Sequence, residues 1–517
     1  MTRHPTDPVL PPGRRAGVGL HITSLPGPFG IGDVGRGARQ FVDMLREMRL
    51  GVWQFLPTGP TAYGDSPYQP LSTFAGNEML IDVADLIENQ LLSTAETAEL
   101  TGLDRGFVDY GRLIPAKTRL LRLAASRFGA QASSEQQQAR DEWVEKQDKD
   151  WLHDYALYRI LKSQHDERPW PEWQPPFVHR EHKALRAIEQ RERAGIDAIK
   201  TLQFLFHRQW RQLREYAAAN GVRLFGDLPI YIALDSADAW VNRDILLIDR
   251  DGRPDFVAGV PPDYFSADGQ RWGNPLYAWP QHAANDFRWW IARLRAKTEL
   301  ADIVRIDHFR GFESYWAVPA TSATAREGSW EPGPGDALFD ALHKAMGKLP
   351  IVAEDLGVIT PAVRALRERH AIPGMVVLQF DVVNTGFSLA SVAANSVCYT
   401  GTHDNDTTIG WFRGSPGDMR SATEIEDTQR AALRLTGGTA GTIHTDLVRA
   451  AFSTAAALAI APLQDYLGLG SEARLNTPGK PSNNWRWRVR EEQLSADLCR
   501  HVAGLVQDSG RANQGFP

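Results

Sequence analysis

Eight short, nearly continuous apolar runs are spread along this chain, and each leads into Gly, Pro or an acidic residue. They are GVGLHI (Gly17 to Ile22), GVWQFLP (Gly51 to Pro57), VRLFGDLPI (Val222 to Ile230) and IVRIDHF (Ile303 to Phe309), followed by IVAEDLG (Ile351 to Gly357), MVVLQF (Met375 to Phe380), SVCYTGTHD (Ser396 to Asp404) and LAIAPLQD (Leu458 to Asp465). Apolarity without strict alternation marks strands covered on both faces, the condition of parallel strands wrapped by helices. Eight such strands close a barrel, so the predicted class is α/β, a (β/α)8 TIM barrel.

Helical patterns fall between the runs. Leu202, Phe206, Trp210, Leu213 and Ala217 recur at intervals of 4, 4, 3 and 4, one apolar helix stripe that Asn220-Gly221 stops before the next strand. Thr360 and Pro361 open another helix as N-cap and first-turn residue. Two stretches are too long for simple connections. Residues 86–219, rich in Arg, Glu, Gln and Ala, predict an inserted helical subdomain, and residues 230–286, dense in Gly, Pro, Asp, Trp and Tyr, predict an inserted loop-rich subdomain over the barrel mouth. Residues 1–16 are Pro-rich, lack the apolar segment of a secretory signal and predict a flexible arm, leaving 17–517 as a single catalytic barrel.

Composition narrows the partners. A net charge of -6 with no concentrated basic patch argues against nucleic acid. The longest mostly apolar stretch, Ala450 to Leu463, contains Ser453 and Thr454 and is too short for a bilayer, so no membrane association is expected. Two cysteines, Cys398 and Cys499, make no disulfide framework, and a cytoplasmic location is expected. Sixteen Trp supply flat faces suited to sugar rings, although most are expected in the core.

Three of the runs end in acids remote from one another in sequence: Asp307, Glu354 and Asp404. In a barrel the C-terminal strand ends meet on one face, and paired carboxylates with a third acid are equipment for glycosidic-bond chemistry. Strand alternation puts Arg305 and Asp307 on one face, where the guanidinium keeps the carboxylate ionised as a nucleophile requires; a structural ion pair is the alternative reading. Glu354 follows the apolar IVA, and apolar surroundings plus a second acid raise a carboxyl pKa toward the value of a proton donor. Asp355 competes with it, since an Asp before Leu-Gly equally caps a turn and spacing does not separate the two. The polar string THDNDT around His403 and Asp404 suits hydroxyl binding. A cation on His403, Asp404 and Asp406 is the other reading, but no second His stands at ligand spacing, and neither a metal nor a cofactor is expected.

The segments DSPYQPLSTFAGN (Asp65 to Asn77), LFGDLPIYIALDSADAW (Leu224 to Trp240), VAGVPPDYFSADGQRWGNPLY (Val257 to Tyr277) and LGLGSEARLNTPG (Leu467 to Gly479) complete a pattern with the three acids. From Gly17 to Trp487 the chain resembles the 4-alpha-glucanotransferases, the amylomaltases or disproportionating enzymes related to the α-amylases. The resemblance implies that Asp307 is the nucleophile, Glu354 the general acid/base and Asp404 the transition-state stabiliser. It further implies that Arg305, His308 and His403 hold the nucleophile and the sugar hydroxyls, and that Tyr68 stacks on the sugar at the cleavage point. Asp227 and Asn476 are implied as polar contacts, and Tyr264, Phe265 and Trp272 as a lid over the acceptor side. The implied reaction moves a segment of an α-1,4-glucan to the 4-hydroxyl of an acceptor, with maltooligosaccharides, amylose or glycogen-derived glucans as partners and a monomer or homodimer as the assembly. An α-amylase-type hydrolase and a glucan-binding protein without turnover are the rival expectations.

Overall fold

The computed structural model describes residues 9–10, 13–262, 266–415, 418–480 and 482–512. Twelve strands are defined among these described residues: β1 (Arg15–Gly19), β2 (Val52–Gln54), β3 (Arg223–Leu228), β4 (Phe256–Val260), β5 (Gln270–Pro275), β6 (Ile303–Ile306), β7 (Ser314–Pro319), β8 (Ser329–Pro332), β9 (Ile351–Ala353), β10 (Gly374–Val377), β11 (Ser396–Tyr399) and β12 (Leu458–Pro462). Eight of them form one sheet in the order β10-β11-β12-β1-β2-β3-β6-β9, with every pairing parallel. The Ala353 amide donates to the Pro373 carbonyl at 2.8 Å, drawing β9 and β10 together and nearly closing the barrel. These eight strands are the eight apolar runs, and the fold is the (β/α)8 barrel expected from them.

Two hydrophobic layers follow from strand alternation. Val52, Phe225, Ile303, Val352, Val397, Tyr399, Leu458 and Ile460 pack together as one cluster on the inner face. Their sequence neighbours face out toward the helices: Trp53 meets Phe41 at 5.0 Å between ring centroids, and Phe55 meets Trp210 at 5.2 Å. Trp210 belongs to the helix Arg193–Ala219, whose whole predicted stripe is buried, and full burial of each large apolar side chain contributes about 1.5–3 kcal/mol.

Residues 86–219 hold the helices Tyr110–Gln131, Ser134–Asp148, Leu152–Gln164, His182–Arg191 and Arg193–Ala219. The helix Leu152–Gln164 is clasped to the loop after β3: Lys162 Nζ and the Tyr158 hydroxyl donate to Asp235 at 2.6 and 2.7 Å. The described residues of 230–286 hold more regular structure than their composition suggested. They include β4 and β5, which join β7 and β8 in an antiparallel sheet of order β5-β4-β7-β8. The partners of β4 and β5 come partly from residues 314–332, so the pairing is non-local, and the Gly and Pro in FVAGV and QRWGNP obscured the strand pattern. The arm boundary also shifts, because β1 begins at Arg15 and Leu10 is buried with the inner-face cluster.

At the N-terminal end of the barrel, buried Arg511 donates to the carbonyls of Arg15, Phe452, Thr454 and Ala456 at 2.7–2.9 Å. Among the described residues, no helix is long and apolar enough to cross a membrane.

Candidate active site

Inward-facing strand residues continue by twos into the barrel mouth. Phe225 leads to Asp227, Ile303 to Arg305 and then Asp307, and Val352 to Glu354. The backbone follows this pattern, with the Asp307 amide bonded to the Leu228 carbonyl and the Glu354 amide to the Ile306 carbonyl, both at 3.0 Å. Convergence of side chains distant in sequence is therefore a property of the sheet register.

Arg305 is the hinge of the site. Its Nη1 donates to Asp227 Oδ2 and its Nη2 to Asp307 Oδ1, each at 2.7 Å. The Asp227 side chain is 0% exposed and that of Asp307 32%, so Asp307 alone of the pair offers its carboxylate to a ligand. Asp227 also accepts from the Tyr68 hydroxyl at 2.9 Å, which places it behind both Arg305 and Tyr68. Burial raises its pKa, and the charge of Arg305 opposes that rise.

Glu354 is held by two backbone donors. The His308 amide reaches Oε2 at 2.7 Å and the Leu356 amide reaches Oε1 at 2.9 Å. Burial first, then the Asp307 charge, push the Glu354 carboxyl up to about 7 despite those two bonds. Asp355 points the other way. It accepts from the Met375 amide at 2.7 Å and pairs with Arg367 at 3.1 Å, tying the strand end to β10 and to the helix Pro361–Arg369.

Next to Asp227, Tyr68 lies parallel to His403, centroids 5.0 Å apart, and both lean on Trp485 at about 6 Å. Asp404 is 45% exposed in its side chain, accepts from Asn476 Nδ2 at 2.6 Å and lies 3.3 Å from His403 Nε2. Arg474 bonds the Asp404 and Asn476 carbonyls at 2.8 and 2.7 Å, fixing the two loops together. Asp406 is engaged elsewhere, by Ser471 at 2.7 Å and the Thr407 amide at 2.8 Å. Among the described residues, no group of three His, Cys, Asp or Glu side chains is placed to hold a metal ion.

His308 is less available than its position in the motif suggests. It adopts a left-handed φ of 53°, its ring meets Trp272 edge-on at 4.8 Å, and its Nε2 is buried without a partner. Burial lowers its pKa to about 4, so the ring is neutral near pH 7. Trp272 is thus packed against the turn that carries Asp307, while Tyr264 and Phe265 lie outside the described residues. Sequence reasoning passed over Trp485 and Arg474. Arg474 stands inside the LNTPG-bearing segment already singled out, and Trp485 in the aromatic NNWRW just beyond it.

A family model described as 4-alpha-glucanotransferase matches residues 20–494. The chain belongs to the 4-alpha-glucanotransferase family. A 4-alpha-glucanotransferase of Synechocystis is 45% identical over 505 residues, covering 96% of this chain and 98% of that one. Another, of Thermus thermophilus, is 45% identical over 513 residues, covering 96% and 99%. The amylomaltase of Streptococcus agalactiae in complex with acarbose superposes with a TM-score of 0.91 at 34% identity, covering 97% of this chain and 100% of its own. Members of the 4-alpha-glucanotransferase family are glycosyltransferases.

Proposed function

We propose that this glucanotransferase works by a retaining double displacement, with Asp307 as nucleophile, Glu354 as general acid/base and Asp404 as transition-state stabiliser. The observation that carries the reading is the split between two neighbouring carboxyls. Asp307 is held by a guanidinium at 2.7 Å, while burial and the Asp307 charge push Glu354 up to about 7. A partly exposed carboxylate held by a guanidinium beside a buried acid whose pKa is raised supports nucleophile and proton donor in those roles.

In the first step Asp307 attacks the anomeric carbon of an α-1,4-linked glucose, and Glu354 gives its proton to the departing 4-oxygen. The product is a glucanosyl ester on Asp307. In the second step Glu354 takes the proton from the 4-hydroxyl of an acceptor glucose or maltooligosaccharide, whose oxygen displaces Asp307 and restores the α-linkage. Tyr68 and His403 form the floor under the sugar, and Asp404 with Asn476 holds its hydroxyls. Amylose and glycogen-derived chains present the same linkage.

Transfer rather than hydrolysis requires that the ester meet a sugar before it meets water. Trp272, packed on the Asp307 turn, supports such shielding. Incubation with maltotriose tests the reading: glucose and a ladder of longer maltooligosaccharides should appear while total reducing ends stay constant. A steady rise in reducing ends would make the enzyme an α-amylase-type hydrolase.

A further inference from the structure

Arg310 stands three residues past Asp307, yet its side chain serves the loop that carries the other acid. Its Nη1 donates to the carbonyl of Val358, four residues past Glu354, and Nη2 lies 3.4 Å from Ser314 Oγ at the start of β7. The guanidinium lies 3.8 Å over the ring of Trp330 on β8, and Trp316 on β7 meets Trp330 at 5.1 Å from the side. Arg310 itself is buried, whereas Trp330 is 40% exposed and Val358 64% exposed. An indole left this open on an edge strand is explained by the cation it carries.

The backbone between the two acids is already linked at one end. Glu354 accepts from the His308 amide through its carboxylate and from the Phe309 amide through its carbonyl. Beyond Leu356 the chain reverses at Gly357, whose φ is +78°, before the helix that starts at Pro361. The Arg310–Val358 bond closes this loop back onto the turn that positions Asp307.

We propose that Arg310, seated on Trp330, is a positioning residue that holds the loop after β9 so that Glu354 keeps its place beside Asp307. The inference rests on the roles given to those two acids above. It makes the small antiparallel sheet part of the catalytic frame, because β8 carries the seat for the tether. A misplacement of about 1 Å between reacting groups costs about 100-fold in rate.

Glu354 faces Arg305 of β6 and Asp307 just past it, with Asp227 of β3 behind Arg305, His308 on the adjoining turn, and Tyr68, His403 and Asp404 around the same mouth. Asp307 and Arg305 are the leading charges on Glu354. Removing a cation raises a carboxyl pKa, so a shift of its titration to lower pH on removing Arg310 reports loop geometry.

The test is steady-state disproportionation of maltotriose across pH by wild type, Arg310→Ala, Arg310→Lys and Trp330→Ala, with thermal melting of each. Arg310→Ala should lose about 10- to 100-fold in kcat with KM within about threefold, and the alkaline limb of its pH profile should move to lower pH as Glu354 gains water. Arg310→Lys should recover part of the kcat, since an amine still reaches the Val358 carbonyl, and Trp330→Ala should shift the limb in the same direction. Should Arg310→Ala fail to fold, Trp330→Ala, altered at a half-open surface position, carries the test alone. An unmoved alkaline limb in a variant with reduced kcat or melting temperature would show a role in the fold only and overturn the proposal, as would wild-type kcat. Wild-type turnover in Glu354→Gln would instead remove the role of Glu354 itself, a separate failure.

Discussion

Tyr68 and His403 lie face to face at 15°, although they come from the loops after β2 and β11, strands that are not neighbours in the sheet. The pair forms one flat surface, and the Tyr68 hydroxyl secures it to Asp227. Two substitutions separate the surface from its anchor. Tyr68→Phe keeps the ring and should lower kcat/KM by about 10-fold, since a hydrogen bond to a charged group contributes about 1.5–3 kcal/mol. Tyr68→Ala removes both, and the deficit should grow by about a further 10-fold, read as kcat/KM on maltotriose.

Asp307→Ala and Glu354→Gln should each reduce transfer by at least about 10³-fold while maltooligosaccharide binding, measured by calorimetry, persists. Asp355→Asn is the informative contrast. Its carboxylate is spent on the Met375 amide and Arg367, so the variant should melt lower and still turn over measurably. Equal loss of turnover in Asp355→Asn and Glu354→Gln would remove the distinction between them.

Glu354 gives a signed pH prediction. Its acid form does the first step, so kcat/KM should fall about tenfold per unit above about pH 7, the value to which its carboxyl is pushed. The same shift bears on stability. A carboxyl raised on folding from 4.5 to about 7 binds its proton more tightly in the native chain, and this contribution is present below 4.5 and lost as pH rises through 7. Glu354→Gln cannot ionise. It should therefore melt above wild type at pH 8 and show no such gain at pH 4.

Asp227→Asn tests the buried half of the guanidinium clamp. Removing one carboxylate from a fully buried Arg305 leaves a charge with half its compensation, and losing one partner of a buried pair costs about 3–5 kcal/mol. Both melting temperature and kcat should drop, because Arg305 also orients Asp307. A variant with wild-type kcat would show that Asp227 serves the fold alone.

Arg511→Ala should act on stability only. Four carbonyls around a buried guanidinium would lose their donor, and the melting temperature should fall by about 5–10 °C. kcat measured well below the transition should remain that of wild type.

The barrel was legible because parallel strands covered on both faces leave unbroken apolar runs, and every one of the eight became a strand. Spacing left Glu354 and Asp355 unseparated, and the structure supplies the direction of each side chain. Val352 packs inside the barrel and Ala353 does not share that inner cluster, so the residue two beyond Val352 turns inward. What spacing could not supply was depth. The resemblance implied contacts from Asp227 and His308, and the structure adds that the Asp227 side chain has no exposed surface and that Trp272 packs edge-on against the His308 ring. Both depend on loops brought in from elsewhere. The strands β4 and β5 were hidden for the same reason, since β4 pairs with the later β7.

Arg511 bonds the carbonyl of Arg15 at the end of the barrel away from the acids. Two segments nearly five hundred residues apart in sequence thus share one anchoring point on the blind side of the molecule. Coupling the enzyme to a bead or an electrode through either segment would orient the mouth outward, toward a polymer too long to reach a site turned against the support.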